Sequence, residues 1–98
     1  MSLSEHRQEV AQIDERIIRL IQQRLGISKD IFLCKKSEGK GISDPEQEKL
    51  VLTRATDMAI ELGLDACAVR DIFHILIKMS LQKQHELQGD EQEQKCRT

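Results

Sequence analysis

The chain has no tryptophan, no tyrosine and only two phenylalanines among its 98 residues. That poverty of aromatics removes the flat side chains on which proteins stack exposed bases. An excess of one charge is missing too. Charged residues make up 33% of the chain, yet the formal net charge is only −2. A binder of nucleic acid or of an anionic membrane needs a basic surplus that this chain does not have. No apolar run approaches the ~18 residues of a membrane span, and the N-terminus has no signal-peptide core. Cys34, Cys67 and Cys96 are odd in number, widely spaced and without a Cys-x-x-Cys pair. His6, His74 and His85 add no metal-ligand spacing. A disulfide framework and a zinc site are therefore not expected. The cysteines read as reduced thiols of a cytoplasmic protein, with Cys34 and Cys67 serving as small hydrophobes.

What remains is helical periodicity. The spacing predicts an all-α single domain over residues 1–98, with helices at about 4–37, 45–62 and 65–88 and a polar tail over 89–98. The first helix is unbroken except at Gly26, and Ser37-Glu38-Gly39-Lys40-Gly41 makes the turn that ends it. Asp44 suits the N-cap of the second helix, Pro45 its first position, and Gln47 the place of a capping-box partner. Val51, Ala55, Met58, Ala59 and Leu62 follow with helical spacing, and Gly63 is a stop. Asp65 caps a third helix running through Val69, Ile72, Phe73, Leu76, Ile77, Ser80 and Gln84.

Polar groups interrupt these stripes. Val10, Ile13, Ile17, Leu20, Arg24, Ile27, Ile31 and Cys34 form the first, with an arginine at its centre. Lys35 returns to nearly the face of Arg24, since eleven residues at ~100° each close on the same direction. Between them on that face stand Ser28 and Ile31. Glu48 shares a face with Val51 and Ala55, while Ser80 and Gln84 break the third stripe. Taken singly, Arg24 can snorkel, Lys35 can favour a helix C-terminus, and Asp44 is explained as a cap. Together they place two cations, a carboxylate, an amide and a hydroxyl on packing faces. That is costly unless they satisfy one another or a ligand. The two cations bracketing a small apolar floor suit a compact dianion.

Length adds a partner. The first helix would be ~50 Å long at 1.5 Å per residue, whereas a compact domain of this size has a radius of gyration of ~13 Å. Two shorter helices cannot cover it, so an intertwined homodimer is expected. Arg7 lies seventeen residues before Arg24, ~25 Å along a straight helix. It can join Arg24 at one small molecule only from the partner chain.

In order and spacing, Arg7, Ile13-Asp14-Glu15, Arg24, Lys35, Asp44-Pro45-Glu46-Gln47-Glu48, Ser80 and Gln84 resemble the all-helical chorismate mutases across roughly residues 5 to 88. That resemblance implies an intertwined all-α dimer. It also implies an isomerase that converts chorismate to prephenate, at the branch toward phenylalanine and tyrosine, with no cofactor or metal. It implies that Arg7 of the partner and Arg24 hold the substrate carboxylates, and that Lys35 and Gln84 donate to the ether oxygen whose bond breaks. Glu48 would accept from the ring hydroxyl with Asp44 beside it, Ser80 would be a polar wall, and Ile31 and Ile77 the apolar floor and side. The family commonly has arginine where this chain has Gln47, which implies weaker substrate binding rather than lost activity. Two other readings stand beside this one. The first is an isochorismate pyruvate lyase on the same scaffold; the second is a non-catalytic helical dimerisation or regulatory module.

Overall fold

The computed structural model describes residues 2–89, and over that span it contains three helices and no strand. The all-α expectation holds. The polar tail expected after Gly89, with Cys96 in it, lies outside the described residues. Helix α1 spans Leu3–Ser37, α2 Pro45–Glu61 and α3 Ala66–Gln88.

Each helix begins where a side chain can satisfy its first free N–H groups. Ser2 caps α1 through a reciprocal capping box with Glu5, at 3.1 and 2.8 Å. This Ser-x-x-Glu start precedes the boundary expected from periodicity, so α1 begins a residue earlier than expected. Asp44 caps α2 by accepting from the Gln47 N–H at 3.3 Å. The box expected there is only half formed, because no return bond from the Gln47 side chain to the cap backbone exists. Asp65 caps α3 through the Ala68 N–H at 3.1 Å. Gly63 (φ +72°) lets the chain turn back so that the Leu64 N–H reaches the Ala59 carbonyl, ending α2 one residue short of Leu62.

Helix α3 packs against both α1 and α2, whereas α1 and α2 do not pack on each other. The two outer helices are thus held apart on a shared platform, leaving a trough between them. The face of α1 that turns toward α3 is not the stripe singled out in the sequence. Ser28 and Phe32 are buried, while Ile21, Leu25 and Lys35 are half-buried. These positions lie one step round the helix from Val10, Ile13, Ile17, Leu20, Ile27 and Ile31, all of which are exposed. Helix α1 is therefore apolar on two faces, and one chain covers only the second. Cys34 and Cys67, expected as small core hydrophobes, are exposed free thiols. Met58 and Leu62 of the α2 stripe and Ile72 of the α3 stripe are exposed as well.

The molecule measures 54 × 32 × 21 Å, with a radius of gyration of 16.5 Å against the ~13 Å of a compact domain this size. Among the described residues only Phe32, Ile42, Ala59 and Ile77 are buried apolar side chains, whereas seventeen large apolar ones are exposed. No described helix is long and apolar enough to cross a membrane.

Candidate active site

The trough between α1 and α2 is a cavity of about 450 Å³, within the range of small-molecule sites. Helix α1 contributes Arg24, Ile27, Ser28, Ile31 and Lys35 to it. From the start of α2 come Asp44, Gln47, Glu48, Val51 and Arg54; α3 provides Ile77, Ser80, Leu81 and Gln84. Nine of the ten residues singled out in the sequence therefore share one pocket. Arg7 is not among them, because it lies near the far end of α1. Arg54, Leu81 and Ile27 were not anticipated. Helical spacing could have found the first two: Arg54 follows Val51 by three positions, and Leu81 follows Ile77 by four.

Arg24 is held in place from α3. Its Nη1 donates to the Leu76 carbonyl at 3.2 Å and to Ser80 Oγ at 3.1 Å. Ser28 Oγ donates to the Arg24 carbonyl at 3.2 Å and lies 2.7 Å from Ser80 Oγ. A hydroxyl has one hydrogen, so Ser80 is the donor of that last bond. Arg24, Ser80 and Ser28 thereby close a ring of hydrogen bonds. The ring buries Ser28 to 3% exposure without leaving its hydroxyl unpaired. It also fixes the guanidinium while leaving several of its N–H groups free. Desolvation pushes the pKa of Arg24 below the ordinary guanidinium value, but an arginine keeps its charge.

At the other end of the pocket, Lys35 Nζ donates to the Ile42 carbonyl and to Gln84 Oε1, the latter at 3.3 Å. Ile42 is a buried residue of the connection between α1 and α2, so this ammonium pins that connection to α1. Gln84 is 4% exposed. Because its oxygen accepts from Lys35, its NH₂ is the end left to donate elsewhere. Lys35 itself has three N–H groups and uses two of them. One ammonium hydrogen and one amide group remain as donors at the buried end of the trough.

Glu48 supplies the counterpart. Its Oε2 is buried and has no hydrogen-bond partner. Buried carboxylate oxygens are nearly always satisfied, so an orphan in a pocket wall is an acceptor awaiting a donor. No histidine or cysteine lines the cavity, so no nucleophile–base pair of the usual kind is present.

These features define a helical domain with one pocket that combines fixed cations, neutral donors and an acceptor on an apolar floor. Residues 6–85 match the family described as chorismate mutase type II. A chorismate mutase of Methanocaldococcus jannaschii is 36% identical over 85 residues, covering 85% of this chain and 86% of that protein. The chain belongs to the type II chorismate mutases.

Proposed function

We propose that the trough is the active site of a chorismate mutase, an isomerase converting chorismate to prephenate. The observation that carries this reading is the polar set left unpaired in one buried pocket. Lys35 and Gln84 retain donors at one end, and Glu48 retains an orphaned acceptor. A ligand with an ether oxygen, a ring hydroxyl and carboxylates satisfies all of them.

The reaction is an intramolecular [3,3] rearrangement. A carbon–oxygen bond breaks as a carbon–carbon bond forms, with no proton transfer and no covalent intermediate. Catalysis then reduces to two tasks. The first is to fold an extended dianion into a compact chair-like geometry, which is an entropic contribution. Arg24 serves this by gripping one carboxylate from its fixed position, with Ile31 and Ile77 as the apolar surfaces. The second is to stabilise negative charge as it grows on the ether oxygen. The spare Lys35 N–H and the Gln84 amide do this more strongly in the transition state than in the ground state. Glu48 orients the ring by accepting a hydrogen bond from its hydroxyl, and Asp44 fixes the helix start that carries Glu48.

The second carboxylate needs a further cation, and Arg7 of a second copy supplies it. The uncovered apolar face of α1 supports that assembly. Val10, Ile13, Ile17 and Leu20 are each at least half exposed, on a helix too long for its own chain to cover. An intertwined homodimer buries this stripe and brings a foreign Arg7 to each pocket.

Product identification tests the reading. The protein is supplied with chorismate and, separately, with isochorismate, and the products are separated by chromatography. Prephenate from chorismate is expected. Pyruvate from isochorismate without prephenate would reassign the site to a lyase, and silence with both would leave a non-catalytic dimer. The shared site has its own test, in which inactive Arg7→Ala and Arg24→Ala chains are mixed under exchange. Each heterodimer regains one intact site of two, and mixtures that stay inactive despite proven exchange rule out a site shared between chains.

A further inference from the structure

We propose that Arg54 is a third substrate-holding cation of this pocket, acting from α2 on the side opposite Arg24; the proposal rests on the pocket being the chorismate site. Three observations carry it. Arg54 lines the cavity, and none of the hydrogen bonds or ion pairs among the described residues engages it. Arg24 and Lys35, by contrast, are each anchored by two bonds to the protein.

The second observation is register. Asp44, Gln47, Val51 and Arg54 all line the trough, and their spacing of three, four and three makes them one face of α2. Gln47 and Arg54 are seven residues apart, so they lie within ~20° of each other around the helix and ~10 Å apart along it. Helical side chains lean toward the N-terminus. A long arginine at position 54 therefore reaches back over Val51, toward the part of the wall that holds Glu48.

The third is charge. Without Arg54 one chain lines the cavity with two cations, Arg24 and Lys35, and two carboxylates, Asp44 and Glu48. Such a wall has no net attraction for a dianion. Arg54 makes it cationic and leaves a guanidinium free to meet a carboxylate. Gln47, which lines the pocket on the same face, is neutral and cannot do this.

The test is a kinetic cycle on the intact dimer with chorismate as substrate. Arg54→Ala is expected to lower kcat/KM by ~10–100-fold, the value of one charge-assisted hydrogen bond, mainly through KM and with an unchanged Tm. Arg54→Lys keeps part of that loss from appearing. Gln47→Arg, combined with Arg54→Ala, restores much of kcat/KM by returning a cation to the same face. Wild-type kcat/KM in Arg54→Ala overturns the proposal. So does a loss accompanied by a fall in Tm that Arg54→Lys does not repair, which makes Arg54 a structural residue. Lys35→Ala, measured alongside, separates the two levels. If it also retains full activity, the chemistry is elsewhere; if it is impaired while Arg54→Ala is not, only the role of Arg54 falls.

Discussion

Replacing Lys35 with alanine separates catalysis from architecture, because the proposed mechanism gives its ammonium a task in each. One hydrogen binds the Ile42 carbonyl, one binds Gln84 Oε1, and the third is free for substrate. Loss of a preorganised donor to a developing oxyanion costs ~10²–10³ in kcat, or about 2.7–4 kcal/mol of transition-state stabilisation. A second contribution adds to it, since without the lysine the Gln84 amide is free to turn its oxygen toward the ether oxygen. The loss is therefore expected at the upper edge of that range or above it. The structural cost is distinct. The buried Ile42 loses its carbonyl partner, an orphaned acceptor worth ~1–3 kcal/mol of stability. Steady-state loss of chorismate absorbance gives kcat and KM, and thermal unfolding followed by circular dichroism gives the second number. Turnover near wild type from a folded Lys35→Ala protein would refute the assignment of this ammonium to the reacting oxygen. A normal Tm would refute its role in holding the connection between the helices.

Gln84→Glu is expected to be impaired at neutral pH, where a carboxylate beside Lys35 has no hydrogen to donate. Activity should recover as the pH falls and the side chain protonates; a flat pH–rate profile would count against the amide as a donor. Ser80→Ala removes one anchor of the Arg24 guanidinium, so KM should rise several-fold while Lys35-dependent turnover changes little. An unchanged KM would show that Leu76 alone positions Arg24. Ile17→Asp puts a charge in the uncovered stripe of α1 and should convert the proposed dimer to unfolded monomer in sedimentation and circular dichroism. A stable, helical monomer would mean that this face has no role in assembly.

Local chemistry was legible in the sequence because it depends on neighbours in the chain. The caps at Asp44 and Asp65 and the turn at Gly63 each involve residues within a few positions of one another. The pocket was legible for a related reason: polar residues at helical spacing on apolar faces have few ways to be satisfied. What periodicity could not supply was which of two apolar faces of α1 meets α3. Val10, Ile13 and Ile17 make the stronger stripe, yet Ser28 and Phe32 make the contact. Small serines there let Ser28 and Ser80 approach to 2.7 Å across 52 positions of sequence, a pairing that exists only in three dimensions. Arg54 was missed for the opposite reason. Its spacing from Val51 puts it on the pocket face of α2, but an exposed arginine at the edge of an apolar stripe looks like an ordinary solvated side chain until the facing wall is in place.

The separation of α1 and α2 has a mechanical meaning. The two walls of the trough are joined only through α3 and through the short segment that Lys35 pins by the Ile42 carbonyl. A dianion bridging Arg24 on one wall and Glu48 on the other adds a brace across the open side. The span of that brace is set by the girth of α3 at Ile77 and Leu81. On the proposed reading, apolar side chains that carry no charge set the length of substrate the trough accepts, and a bound ligand would stiffen the enzyme.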